Sequence, residues 1–352
     1  MEFKEIYRGM IENETRNTYH GWPTVANMGH DKLVAVASGN RAGHVCPFGR
    51  VFLYESTDKG RTWTGPRSLT NGPLDDRDAG IGLTPAGTWL VQYFTSAYFA
   101  EISSDRTPAE MIAVQKNISL DTLVRENGFF MLRSTDQGKT WSEKYSIPMN
   151  NVHGHIVLSD GSLFLHGKAR GVQVAATTHS NDVVAVRSTD DGLTWQEIHR
   201  IAWGKCPGFD LRYWHELTSI QADDGTIITH IRMEDPQLPI GTWQITSTDQ
   251  GRSWSEPRFI TRGFPAHLLK LQDGRLLTSY GYRDKISGNR ARISSDNGQT
   301  WSDEYILSDG SPTGDLGYPS TAQFADGSLF TLWYQYLPEK STSLLHYLHW
   351  AL

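Results

Sequence analysis

Along this 352-residue chain, short runs of alternating apolar and polar residues repeatedly break off at nearly the same eight letters, after which another such run resumes. The eight letters read STDKGRTW at Ser56–Trp63, STDQGKTW at Ser134–Trp141, STDDGLTW at Ser188–Trp195, STDQGRSW at Ser247–Trp254 and SSDNGQTW at Ser294–Trp301. Alternation on both sides of a polar, Gly-containing block predicts two strands joined by a turn. The Ser and Asp oxygens can accept from nearby backbone amides, the Gly supplies a left-handed position, and the Trp covers the turn from the following strand. One Asp per block offers too few oxygens for a calcium site, so the block reads as a folding device.

A fainter repeat alternates with the first: an apolar strand, a polar turn usually containing Asp-Gly, and another apolar strand. Its six copies start at Pro23, Ala79, Gly154, Leu217, Ala266 and Ser320. Each copy, joined to the block that follows, makes about four strands, the content of one propeller blade. The pattern therefore predicts an all-β chain, residues 1–352 as a single six-bladed β-propeller with four-stranded antiparallel blades. The strand-like run EFKEIYRG before the first copy predicts that the two ends of the chain pair within one blade and remove an exposed edge.

Composition sharpens this picture by exclusion. A net charge of -6 disfavours nucleic acid as a partner, since neutralising phosphates requires a basic surface. Cys46 and Cys206 are the only cysteines, too few for a disulfide framework and without the paired spacing of a zinc site. No metal or other cofactor is expected. The start MEFKEIYRGM lacks the basic and apolar segments of a signal peptide, and no apolar run is long enough to span a membrane. The chain as it stands reads as cytoplasmic, or as secreted or periplasmic had a leader been removed; its oligomeric state is not legible.

The five blocks match the Asp-box pattern, and with six units the whole chain resembles the sialidase (neuraminidase) superfamily. Asp boxes also occur in propellers with other functions, so chemistry has to be argued from the site. In a propeller, the starts of the innermost strands converge on the axis at one face. Here those positions hold His20 and Trp22, Asp75, Asp76 and Asp78, His153 and His155, His215 and Glu216, His267, and Tyr318. Loops leaving each second strand add Arg41, His44, Arg232, Arg283 and Arg290. A ring of strand ends is also simply a wet surface, but acids, histidines and arginines aimed at one axial depression point to a polar, anion-compatible ligand.

In HELTSIQADDGTIITHIR, Glu216 opens one strand and Arg232 closes its hairpin partner, so both emerge at the same face. The resemblance implies that Arg232 binds a substrate carboxylate and that Glu216 is the base for a tyrosine nucleophile. DLGYPSTAQFADGSLFTLWY is similar to the segment carrying that tyrosine, which puts the role on Tyr318. A phenol becomes nucleophilic when an adjacent carboxylate takes its proton, and tyrosine-using sialidases are known exceptions among retaining glycosidases. Arg283 or Arg290 would complete the clamp with Arg232.

Two departures stand beside the match. The Arg-Ile-Pro motif that opens a sialidase's first blade is replaced by HGWPT, with Gly21 where its arginine would fall. The acid expected after Arg41 is missing from RAGHVCPFGRV, leaving His44, or Asp76 or Asp78 of the next blade, to donate the proton. The expected function is release of a terminal α-linked sialic acid or related acidic sugar, with Tyr318, Glu216, His44 and Asp78 as the catalytic set. Arg41, Asp76, His155, Arg232, His267, Arg283 and Arg290 are expected to bind the substrate. Two alternatives remain open: a His/Tyr-dependent lyase or glycosidase on uronate- or rhamnose-containing glycans, using His44, His155 or His267, and a carbohydrate-binding propeller without catalysis. The insertion over 94–133 contains TPAEMIAVQ, a candidate short helix over Thr107–Gln115 that could roof the pocket.

Overall fold

The computed structural model describes residues 2–12, 19–97, 117–174 and 177–352, and among them are twenty-five strands. The chain begins with β1 (Lys4–Ile11), then β2 (Tyr19–Asn27), β3 (Leu33–Arg41), β4 (Arg50–Ser56) and β5 (Thr64–Ser68). A second set comprises β6 (Asp75–Leu83), β7 (Trp89–Ser96), β8 (Gly128–Ser134) and β9 (Tyr145–Ser146), with one short helix, α1 (Leu120–Glu126), between β7 and β8. The third contains the two-residue strands β10 (Met149–Asn150) and β11 (Ile156–Val157), followed by β12 (Leu163–Val174), β13 (Thr177–Ser188) and β14 (Gln196–Ile201). Then come β15 (Trp214–Gln221), β16 (Ile227–Met233), β17 (Gly241–Ser247) and β18 (Arg258–Thr261), and β19 (Ala266–Lys270), β20 (Leu276–Tyr282), β21 (Gly288–Ser294) and β22 (Tyr305–Ser308). The last three are β23 (Leu316–Gln323), β24 (Leu329–Leu337) and β25 (Thr342–Ala351).

These strands stand around an axis as an all-β propeller. The inner strands touch in ring order, β2 against β6 and β23, β15 against β19, and β19 against β23. Hydrogen bonding nevertheless gathers the strands into five sheets among the described residues, which corrects the expectation of six separate four-stranded blades. One sheet is five-stranded, because its first strand is broken into β10 and β11. Another is eight-stranded, in the order β23-β24-β25-β2-β3-β4-β5 with β1 also on β25, and its two parts meet at a single parallel bridge between Tyr19 and Ser343. The ends of the chain do pair within one sheet, Lys4 opposite Ala351 and Ile11 opposite Leu345, so the edge of β25 is covered.

The eight-letter turns are built as their sequence predicts. In the first, Ser56 Oγ donates to Asp58 Oδ1 at 2.8 Å and accepts from Gly60 N at 2.8 Å, while Thr62 N and Oγ1 donate to the Asp58 carboxylate at 2.9 and 2.6 Å. Both Asp58 oxygens are consumed inside the turn. Burial alone would raise this carboxyl, but the Thr62 and Ser56 donors outweigh it and bring it down to about 2. Trp63 Nε1 donates to Gly60 O at 3.0 Å, and the indole lies against Phe330 of β24, tying the turn to the preceding blade. A Cβ on Gly60 would come within 2.2 Å of the Phe330 ring, so this glycine is required by close approach as well as by its φ of 90°.

The helix expected over Thr107–Gln115 lies outside the described residues. Further along the same insertion, Ser119 Oγ caps α1 by accepting from Thr122 N at 3.1 Å. Ile118 and Leu123 then pack on Leu74 and Ala97, beside the start of β6.

Candidate active site

Four inner strands carry the same irregularity near their starts. Between Gly21 and Thr24, Arg77 and Gly80, His215 and Thr218, and Gly317 and Ser320, the inner strand spends three residues where its partner spends two. Each is a β-bulge, which re-aims a side chain out of the alternating pattern. The first extra residue in each has a left-handed backbone: Trp22 at φ 54°, Asp78 at 48°, Glu216 at 46° and Tyr318 at 52°. His153 at 66° holds the corresponding place between β10 and β11. Such a conformation costs a non-glycine residue about 1–3 kcal/mol, and its recurrence at one level of the ring marks a functional surface.

Trp22, Asp78, Glu216 and Tyr318 line a single cavity of about 560 Å³, together with His44, Arg77, Phe94, Arg232, Arg283, Gly314, Asp315 and Tyr334. At its centre the Tyr318 hydroxyl donates to Glu216 Oε1. Arg232 Nη1 donates to both Glu216 oxygens, at 2.9 and 2.8 Å, and lies 3.4 Å from the Tyr318 hydroxyl; its Nη2 pairs with Glu234 at 2.8 Å. Burial pushes the Glu216 carboxyl up, but Arg232 and the Tyr318 hydroxyl outweigh it and hold the group below its ordinary value. Burial and the Glu216 charge push Tyr318 well above the ordinary phenol range. The resting site thus keeps the proton on the phenol and the charge on the carboxylate.

Around this centre, aromatic rings separate the cations. Phe264 lies between Arg232 and Arg283, whose guanidinium carbons are 4.8 and 4.9 Å from its centroid, and Trp22 lies between Arg77 and Arg41, at 4.4 and 4.9 Å. Arg283 donates to the carbonyls of Gly314, Phe264 and Leu316 at 3.0, 2.7 and 2.8 Å, which spends three of the five N–H groups a guanidinium carries. Asp78 sits on the floor beside Arg77; burial raises its carboxyl to about 6 against the opposing pull of that arginine. His44 stands at the rim with 53% of its side chain exposed, 3.5 Å from Asp315 and 3.0 Å from the Tyr19 hydroxyl. Asp315 also accepts from Tyr334 at 2.9 Å, and although burial raises its carboxyl, the His44 and Tyr19 bonds bring it below its usual value.

Of the residues expected from sequence, Tyr318, Glu216, His44, Asp78, Arg232 and Arg283 are brought together here. Five others are not on the cavity wall. Arg41 is fully buried in an ion pair with Asp75 and donates to His44 O at 2.7 Å, so it supports Trp22 from behind. Asp76 is buried and accepts from Thr95 at 2.9 Å. Arg290 donates to the carbonyls of Asn289, Ser308 and Ile286, away from the axis. His155 and His267 lie deeper, with His153, in a separate cavity of about 600 Å³ that opens at the other end of the inner strands, between Asn27, Val157, Lys270 and Gln323. Burial pushes both His155 and His267 down to about 4, so they are neutral there. In the other direction, sequence reasoning passed over Arg77 and Asp315. Arg77 was flanked by the expected Asp76 and Asp78, and its proximity to the pocket follows only from the bulge.

Three buried polar atoms of the cavity residues make no hydrogen bond among the described residues: Arg232 Nε, and Arg77 Nε and Asp78 Oδ1, which face each other as an ion pair at 4.0 Å. Buried polar groups are normally paired, so a cavity presenting two such donors and one acceptor is arranged for a polar ligand. Among the described residues, no group of three or more His, Cys, Asp or Glu is placed to hold a metal ion.

Residues 113–331 match the family described as BNR repeat-like domain. A sialidase of Bacteroides fragilis (strain YCH46) is 26% identical over 200 residues, which is 49% of this chain and 36% of that protein, so the match spans about a third of the relative's length. Among solved structures, a Dyadobacter fermentans DSM 18053 protein of unknown function superposes with a TM-score of 0.78 at 21% identity over 99% of both chains. The intramolecular trans-sialidase of Ruminococcus gnavus, in complex with oseltamivir carboxylate, superposes at 0.65 with 14% identity, over 99% of this chain and 97% of that one. At these identities the two structures show a shared fold.

Proposed function

This chain belongs to the BNR repeat-like family, within the sialidase-type β-propellers, and from that premise we propose that it is a retaining exo-glycoside hydrolase acting on a terminal α-linked sialic acid or related keto-deoxy sugar acid. The observation that carries this reading is the three-way contact of Tyr318, Glu216 and Arg232. Glu216 takes the phenolic proton as Tyr318 Oη bonds to the anomeric carbon, and the leaving oxygen departs with a proton from the acid. Water then attacks the glycosyl-tyrosine, giving a proton to the conjugate base of that acid, while the phenolate leaves and takes back its proton from Glu216, so that both groups return to their resting states. A nucleophile that is neutral at rest suits an anomeric carbon bearing a carboxylate, which would repel a charged one.

Arg77, Arg232 and Arg283 are the guanidinium groups available for that carboxylate, and the Nε of Arg77 and of Arg232, neither of which donates a hydrogen bond, are the donors it would satisfy. Arg77 thereby supplies a third cation in a chain that has Gly21 in the first blade's motif. His44 carries the proton to the leaving group in this reading, because it is at the open rim where the leaving group exits, whereas Asp78 is enclosed on the floor. The histidine-based lyase loses support from the placement of His155 and His267 in the other cavity. The same reading takes the eight-stranded sheet as two four-stranded halves joined at one bridge, which gives a ring of six blades.

The test is hydrolysis of aryl α-glycosides of sialic acid, other keto-deoxy acids and uronic acids, with Tyr318→Phe beside the wild type and the product anomer read by NMR. Release of a keto-deoxy acid with retained configuration, slowed by about 10²-fold or more in Tyr318→Phe, is the expected result. A kcat in Tyr318→Phe within about tenfold of the wild type would sink the proposal.

A further inference from the structure

Next to the site, on the same face, the loop between β14 and β15 and the loop between β16 and β17 enclose a second cleft of about 530 Å³. The two loops are tied by Glu234 N donating to Tyr213 O at 3.0 Å, and Glu234 is the carboxylate that pairs with Arg232. Tyr213 stands three residues before Glu216. The cleft is therefore joined to the catalytic centre through one backbone bond and one ion pair.

Its most unusual feature is Trp203, a large apolar ring with 51% of its surface exposed although it is fixed in place. Its indole Nε1 donates to Asp210 Oδ1 at 3.1 Å and its backbone N to Asp182 at 2.9 Å. Asp210 is held in turn by Arg212, whose Nε and Nη2 donate to Oδ2 at 2.8 and 2.6 Å, and the guanidinium carbon lies 5.6 Å from the Trp203 centroid. Phe209 anchors the loop by edge contacts with Trp214 and Trp243. A rigid, open indole beside acids and amides is suited to the apolar face of a sugar ring, with hydroxyls reaching Asp235 and Gln237 at the wall. An anion is disfavoured, because the charged lining residues are Asp210, Asp235 and Arg212, and Arg212 is already paired.

We propose that this cleft is a second binding site, taking a neutral pyranose on the face of Trp203. Its assignment to the leaving-group side of the cleaved bond rests on the catalytic reading above; the binding of a neutral sugar does not. Lactose is the probe. Saturation-transfer NMR and tryptophan fluorescence should show lactose binding to the wild type, at least tenfold weaker in Trp203→Ala and retained in Trp203→Phe. With sialyllactose and the methyl α-glycoside of sialic acid as paired substrates, the ratio of their kcat/KM values should fall at least tenfold in Trp203→Ala. If lactose binds in a Trp203-dependent way while neither substrate is cleaved by wild type, the site stands and the catalytic reading fails. If lactose does not bind, or binds equally to Trp203→Ala with both proteins folded by circular dichroism, the inference is overturned whatever the turnover.

Discussion

Tyr318 donates its hydroxyl proton to the same Glu216 carboxylate that Arg232 holds through both oxygens, at 2.9 and 2.8 Å. The arginine keeps that carboxylate ionised at the bottom of a buried pocket, so it is ready to accept a proton. It also lies 3.4 Å from the phenol oxygen, where it would stabilise the phenolate as it forms.

If the two residues act as one unit, Tyr318→Phe and Glu216→Gln should each lower kcat by roughly 10²–10⁴-fold, and the double variant should be no worse than the more damaged single one. Steady-state rates on an aryl ketoside, with thermal melts to confirm folding, check this. Losses that multiply in the double variant would show independent roles.

The rim position of His44 sets up a leaving-group test. His44→Gln should lose about 10²-fold or more on a natural glycosidic linkage but far less on a nitrophenyl ketoside, whose leaving group needs no proton. Asp78→Asn should show no such dependence on the leaving group. The opposite pattern would transfer the acid role to Asp78.

Asp78 also gives a pH signature in stability. Its folded carboxyl, raised to about 6 from an ordinary 3.8, binds more protons than the unfolded chain between those values, so stability falls as pH rises through that window and stays reduced above it. Asp78→Asn should remove this fall: on the order of 1–3 kcal/mol more stable than wild type at pH 7.5, with the difference closing near pH 4. Denaturant melts across that range provide the measurement, and a constant difference at all pH values would contradict the assignment.

The turn glycines permit a controlled comparison. Gly60 and Gly87 both have left-handed backbones, with φ of 90° and 83°, but a Cβ at Gly87 would meet nothing within 4 Å. Alanine at either position should cost about 1–2 kcal/mol from the backbone alone. At Gly60 the clash with Phe330 should add roughly 1–3 kcal/mol more. Calorimetric melting temperatures of the two variants separate the terms.

What could be read from the chain was what depends on local spacing. The five turns are closed by bonds spanning four residues, so the letters that make them stand side by side in sequence. Glu216 and Tyr318 were legible because each opens an inner strand. Arg41 was not legible as a structural residue, because the Asp75 that claims it lies 34 residues later. Arg290 was misjudged for a different reason: its partners are backbone carbonyls, which any sequence supplies. Arg77 was hidden by the strand rule itself, since simple alternation says nothing of a bulge at the next residue. The five-sheet pairing was hidden too, because a lone bridge between Tyr19 and Ser343 leaves no pattern in either strand.

The recurring bulge also bears on how such a site could change over time. Four of the left-handed positions are set by the strand pairing on either side of their own bulge, so the direction in which each side chain leaves the backbone is fixed locally. Trp22, Asp78, Glu216 and Tyr318 stand on four such mountings of one frame, and their side chains meet in the same cavity. A new residue at Asp78 or Glu216 would leave the backbone from the same bulge into the same cavity, whereas one at Trp22 or Tyr318 would also empty part of the hydrophobic core to which both belong. On the reading proposed above, the arginine missing at Gly21 in one bulged strand would be made good by Arg77 at the equivalent place in the next.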